Sequence, residues 1–294
     1  MFDFVETLMT PVLEREEYIE QAYFFRTLRE RMIDEHLPTQ LVLERAHEEV
    51  LSITRLPMAI QFLATEIKHT GLLSSGFARL GHYFTPFQGF VVEKAEDDRN
   101  RFSIDVALHV LEREAEYRSG TPTPQGLFVY QFETLSRNRL GYDEGLKRMA
   151  DDAFYEDPWR AYVEFVRRQV GVVDFTDLLY LRSEWYVKEQ RRNNPDYEPP
   201  LPPLFGEKEG RIAKANRGRD PLYLFAALQR QLGYPEVPRI KPKDDPTVRI
   251  LELKAKLKEL ETRVKLLESE ARGKVDLSEF MAKPELLKPP DDDA

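Results

Sequence analysis

Two Glu-x-x-His spacings, Glu44 with His47 and Glu66 with His69, are the residues whose types and separation come nearest to a chemical centre. Residues three apart share a helix face, so each spacing projects a carboxylate and an imidazole the same way. Helical bundles build di-iron centres from two such pairs when two further helices each add a Glu. Glu17 or Glu20, and Glu93 or Glu96, stand where those further carboxylates could come from. The resulting chemistry would be metal-dependent catalysis. Against it, the two pairs fall on consecutive helices, which the ferritin-like arrangement does not use. With five His and roughly one Glu in ten residues, about half of one such spacing is expected by chance. Both pairs also flank their apolar stripes, beside Glu48 and Lys68, as surface residues do.

Other catalytic patterns stop short. His47 and Glu48 begin like a zincin helix, but Leu51 stands where the second His is required. Gly71 and Gly76 have the spacing of a phosphate loop, with Phe77 in place of its Lys. No serine elbow, dinucleotide fingerprint or calcium loop occurs, and no cofactor is implied.

The one local basic cluster is Lys208, Arg211, Lys214, Arg217 and Arg219, relieved by Glu207 and Glu209. It could take a phosphate, a nucleic-acid backbone or an acidic protein surface, with Gly210 and Gly218 allowing close approach. Charge elsewhere weakens the nucleic-acid reading: between Met1 and Gly120 there are 13 basic and 21 acidic side chains. The favoured expectation is that the cluster docks on this acidic N-terminal half, so nucleic acid is not an expected partner.

The elements that must position these residues read as helices throughout. Starts of the form Thr-Pro or Asp-Pro recur at Thr10, Thr85, Thr123, Asp157 and Asp220, each ahead of an apolar stripe at helical spacing. The first helix should bury Ile19, Ala22, Tyr23, Phe25, Leu28 and Met32, and a second should bury Leu43, Ala46, Val50 and Ile53. The segment after Thr123 is apolar on several sides and belongs at the centre of the fold, ending at Gly141. A single helix is expected from Asp174 to about Arg192. No stretch alternates with a period of two, so the chain is all-α, an irregular multi-helix bundle with a C-terminal coiled-coil-like helix. Aromatic residues around Phe154, Trp159, Tyr180 and Trp185 are expected to pack the core.

The C-terminal helix has the most definite pattern. Ile250, Leu253, Leu257, Leu260, Val264 and Leu267 alternate at heptad positions a and d, between a start at Asp245–Pro246 and a stop at Gly273. A parallel pair would set Lys256 near Glu261 and Arg263 near Glu268 of the second copy, both attractive. The competing arrangement folds this helix, about 33 Å long at 1.5 Å per residue, back onto the body. Around it the expected organisation is a helical body over 1–192, a proline-rich strap over 193–204 and a basic loop plus helix over 205–235. A linker over 236–245, the coiled-coil helix over 246–273 and a mostly disordered tail over 274–294 follow.

Composition fits this outline. The 294 residues are 41% hydrophobic and 32% charged, with no Cys, which excludes disulfides and thiolate chemistry and agrees with a cytoplasmic setting. No apolar run is long enough for a membrane, and the acidic N-terminus lacks a secretory pattern. The leading expectation is an interaction or scaffold protein, not an enzyme, whose partners are a second copy of itself and a further protein. Metal-dependent catalysis and phosphate or nucleic-acid binding are the alternatives.

Overall fold

Proline-led and capped starts are where the chain turns into helix. The structure, a computed structural model, describes residues 12–97, 99, 101–239 and 264. The chain divides into two units, Met1–Ile240 and Lys241–Ala294. In the first, α1 runs Arg15–Ile33, α2 Thr39–Ala46, α3 Leu56–Thr70 and α4 Leu73–Arg79. Then come α5 Pro86–Glu96, α6 Ile104–Ser119, α7 Pro124–Asn138, α8 Tyr142–Ala150 and α9 Asp157–Gln169. Last are α10 Phe175–Leu181, α11 Glu184–Asn193, α12 Glu207–Ala215 and α13 Pro221–Leu232. Among the described residues there is no strand, only isolated bridges of Val170 with Val173 and Ser183 with Phe205. The fold is all-α, an irregular multi-helix bundle, as the residue pattern indicates.

The caps explain the boundaries. Thr85 and Gln88 form a reciprocal capping box at α5, and Ser103, Thr123 and Asp220 accept from the first-turn amides of α6, α7 and α13. Each such cap is worth about 1 kcal/mol. Gly71 and Gly233 end α3 and α13 in the left-handed region, at φ 74° and 70°, where an L side chain is strained.

Several expected faces are rotated or cut short. In α1 the buried side chains are Glu17, Tyr18, Glu20, Gln21, Ala22, Phe24, Phe25 and Leu28, while Ile19 and Tyr23 stand exposed. The polar members of that face are buried because each finds a partner: Glu17 accepts from Tyr83 Oη at 2.8 Å, and Gln21 Oε1 accepts from Gln88 Nε2 at 3.1 Å. The charged side of α1 is satisfied across α6, where Glu112 takes Arg26 at 2.7 Å and Arg29 at 3.8 Å. The second helix ends at Ala46, so Ile53 lies beyond it and is 82% exposed. Helices α4 and α8 were not expected from the sequence, being short.

Helix α7 is central, as its composition demands. Leu127, Phe128, Val129 and Tyr130 are wholly buried, and α6, α8 and α13 pack on it. Its end comes earlier than Gly141: Arg139 takes the left-handed conformation at φ 55° and closes the helix, leaving Gly141 as the N-cap of α8. Phe132 stacks on Phe175 at 3.8 Å, and Phe128 lies 5.4 Å from Tyr162 and 5.7 Å from Trp159, so of the expected aromatics Trp159 joins a core around α7, while Phe154 and Trp185 are only partly buried. Such pairs add about 0.5–1.5 kcal/mol each beyond their burial.

The single helix expected from Asp174 is two. It breaks at Arg182 and Ser183 because the end of the strap bonds to the backbone there. Leu204 N and Phe205 N donate to Arg182 O at 2.8 and 3.1 Å, and Glu184 N donates to Phe205 O at 2.9 Å. Ser183, wholly buried, caps the restarted helix through Tyr186 N at 3.2 Å. The strap, α12 and α13 all belong to the same unit as the helices before residue 193.

Candidate functional site

The carboxylates that the sequence offers to a metal are spent elsewhere. Glu44 pairs with Lys68 at 2.7 Å and accepts from Gln40 at 3.1 Å, and Lys68 and Gln40 hold its carboxyl below the usual range. Glu66 is buried and bonded to Arg79 and, at 3.2 Å, to Ser75 Oγ, whereas His69 on the same helix is exposed. His47 follows the end of α2, its Nδ1 buried without a partner. Of the further carboxylates, Glu17 accepts from Arg55 N at 2.9 Å and Glu20 from Leu51 N at 2.8 Å. Glu96 accepts from Leu73 N at 2.6 Å and Ser74 N at 2.9 Å. These three side chains hold backbone amides of distant segments, a role available to any buried carboxylate near a loop or helix start. Among the described residues no group of three or more His, Asp or Glu is arranged to hold a metal ion.

The basic cluster is also placed differently from expectation. Residues 207–215 are the helix α12, not a loop, and the absence of a Cβ on Gly210 lets this helix lie against Ser183 and Trp185. Its cations do not dock on the acidic N-terminal half. Lys214 pairs with Glu189 at 2.5 Å, Arg217 with Asp177 at 2.5 Å and Arg211 with Glu207 at 3.3 Å. Arg211 and Arg217 also lie 4.1 Å from the ring centroids of Trp185 and Tyr180. Nearby acids on α10, α11 and α12 and two aromatic faces satisfy them locally, leaving Lys208 and Arg219 exposed to solvent. Of the heptad positions Ile250, Leu253, Leu257, Leu260, Val264 and Leu267, all but Val264 lie outside the described residues; Val264 is helical and 50% exposed.

What the structure brings together instead is a cleft of about 680 Å³ lined by residues of α4, α5, α8 and α9. That volume lies within the range of roughly 300–1,000 Å³ typical of small-molecule sites. Its apolar lining includes Phe77, Phe84 and Phe90, with Phe77 and Phe84 stacked at 4.1 Å. Its charged lining is mixed: Arg79, Arg148 and Arg160 against Glu93 and Asp151, with His82 exposed at the rim. Arg79 is engaged by Glu66. Arg148 reaches Glu93 and Glu144 only at 4.0 Å each, and Arg160 holds the exposed Asp157 at 3.4 Å while its Nε is buried without a partner. The arrangement suits noncovalent capture of a ligand with an aromatic or apolar body and at least one anionic group. Sequence reasoning missed it because it depends on α4 and α8, and because Arg148 and Arg160 belong to no motif.

Compared with models of protein families, with curated proteins and with solved structures, the chain matches none of them.

Proposed function

We propose that this chain is a non-enzymatic, all-helical interaction protein of the cytoplasm. It self-associates as a parallel dimer through Ile250, Leu253, Leu257, Leu260, Val264 and Leu267, and its helical body is the module presented to a further protein partner. The observation that carries the reading is the heptad spacing of Ile250, Leu253, Leu257, Leu260, Val264 and Leu267 with its flanking charges; Val264, the one seam residue described, is helical and half exposed. The heptads also lie wholly in the second unit, Lys241–Ala294. In the body, Glu17, Glu20, Glu44, Glu66 and Glu96 are committed to backbone amides and cations, which lends support to a structural protein over the metal-dependent alternative. The local pairing of Arg211, Lys214 and Arg217 weighs in the same way against phosphate or nucleic-acid binding. No helix among the described residues is long and apolar enough to cross a membrane.

Light scattering after size exclusion tests the proposal on the full chain. The native protein should run at twice its 34.5 kDa, and Leu253→Glu combined with Leu260→Glu should return it to one chain with unchanged helical content. A native particle of one chain would overturn the reading, as would a dimer untouched by both substitutions.

A further inference from the structure

Where the proline strap crosses the body it leaves a second cavity, of about 230 Å³, between α9, the junction of α10 with α11, and the strap itself. Its lining is apolar: Phe165, Leu181, Val187, Leu201 and the prolines, with Tyr186 and Tyr197. Arg182 is the only charged residue in it. Three of the apolar members, Phe165, Leu181 and Leu201, are 44%, 45% and 58% exposed, so the mouth of the cavity is an open hydrophobic rim.

Arg182 is anomalous in this protein. The deeply buried guanidinium, Arg118, is met by two carboxylates, Glu114 and Asp152. Arg182 has no hydrogen-bond acceptor for its side chain among the described residues, and its Nε is buried without a partner. Its single interaction is with the ring of Tyr162, whose centroid lies 5.4 Å from Cζ. At that distance the ring supplies an electrostatic contact but no hydrogen-bond acceptor in its plane for the five N–H donors of the guanidinium. With no acceptor among the described residues, its donors are available to a planar, bidentate acceptor from a ligand. Burial among apolar side chains lowers the pKa of Arg182, and no carboxylate opposes that effect. The backbone explains why the residue stays in place: Arg182 O accepts the two strap amides of Leu204 and Phe205, which fixes the Cα but makes no demand on the side chain. A structural role alone would be met better by an apolar residue here.

We propose that this cavity is a binding site for a small apolar monocarboxylate, its carboxylate held bidentate on Arg182 and its hydrocarbon body seated between the strap prolines and Phe165, Leu181 and Val187. Size limits the ligand. The volume falls below the roughly 300–1,000 Å³ of drug-sized sites. A cavity of this size takes a ligand smaller than drug-sized, on the order of ten non-hydrogen atoms. An aromatic acid such as benzoate or a short straight-chain acid such as hexanoate meets both conditions. A second charge on the ligand would have no counterpart in the lining, so dicarboxylates and phosphates are excluded by the same argument. The site belongs to the body and does not depend on the self-association proposed above.

The test uses the full chain, with benzoate and hexanoate as probes and benzamide and hexanol as uncharged matches, titrated by calorimetry and by the side-chain Nε–H resonances of arginine. One of the acids should bind at millimolar concentration or better and move the Arg182 Nε–H signal, and the uncharged match should bind at least ten-fold more weakly. Arg182→Met should weaken the acid at least ten-fold while keeping the native melting profile, and Arg182→Lys should recover part of the loss. Failure of both acids to bind the native chain would overturn the proposal. So would equal binding of acid and uncharged match, or an Arg182 resonance that stays still while another arginine moves; the last readout decides the matter even if Arg182→Met fails to fold.

Discussion

Arg118 lies one helical turn beyond Glu114 on α6, and the two side chains, 1% and 0% exposed, meet through hydrogen bonds of 2.9 and 2.7 Å to a single carboxylate oxygen. Asp152, 3% exposed, accepts from the Nη2 that Glu114 also holds and fixes the loop after α8 by accepting from Phe154 N at 2.9 Å. Removing the cation leaves two buried carboxylates without a counter-charge. Arg118→Met is therefore expected to destabilise the body by about 3–5 kcal/mol. Replacing Arg118, Glu114 and Asp152 together with apolar residues of similar volume should restore most of that stability. Urea unfolding of the single and triple variants measures both, and a triple variant no better than the single one would refute the account.

The same triad has a pH signature. One guanidinium faces two acids, so the buried group would carry a net negative charge if both ionised. Burial, the largest cause, raises the Glu114 carboxyl above its ordinary value of 4.5, with Arg118 opposing, while Arg118 stays charged throughout. An acid whose pKa is raised on folding binds more protons folded than unfolded. Its contribution is complete below 4.5 and is lost as pH rises through the higher folded value. Glu114→Gln, which keeps the shape and cannot ionise, should therefore gain on the native protein as pH rises from 4 to 8. A stability difference between the two that stays flat across that interval would show that Glu114 is ionised throughout.

How much of this was legible in the sequence depends on the distance over which each partner acts. Caps such as Ser103 and Thr123 work within three residues, and the central place of α7 follows from Leu127, Phe128 and Val129 alone, so both were readable. The face of α1 was not. Glu17 and Gln21 are buried by partners far along the chain, Tyr83 and Gln88, and periodicity cannot report a polar residue that will be satisfied 66 or 67 positions away. The break between α10 and α11 was invisible for the same reason, since the groups that stabilise it belong to Leu204 and Phe205. The larger cleft depends on the junction of several helices and the smaller cavity on the meeting of helices with the strap, and neither Arg160 nor Arg182 carries any local mark of its unsatisfied Nε.

Glu96, once a candidate metal ligand, is expected to act as a remote cap. Its carboxylate takes the amides of Leu73 and Ser74, the first of α4, a helix with no side-chain cap of its own. Hydrogen bonds to a charged acceptor contribute about 1.5–3 kcal/mol. Glu96→Ala should release the start of α4, and with it one wall of the larger cleft, before the rest of the body loosens. Hydrogen exchange should then quicken at Gly76, Phe77 and Leu80 with little change at α7 amides. Uniform acceleration, or none, would show that Glu96 is dispensable to α4.

Gly210 tests whether α12 is fixed by close approach. A Cβ at that position would lie 2.6 Å from Ser183 Cβ and 2.7 Å from Trp185 Cβ, with Ser183 Oγ closer still. Ser183 cannot retreat: it is wholly buried, its Oγ donates to Tyr180 O at 2.6 Å and accepts from Tyr186 N, and its neighbours hold the strap. Helix α12 must give way instead, taking Arg211 off Trp185 and Lys214 off Glu189. Gly210→Ala gains about 1 kcal/mol of helix propensity, yet overpacking of this kind costs about 1–3 kcal/mol, so a net loss is expected. Trp185 fluorescence reports the local change and thermal melting the global one. A more stable Gly210→Ala protein with unaltered Trp185 emission would mean that α12 has room to shift.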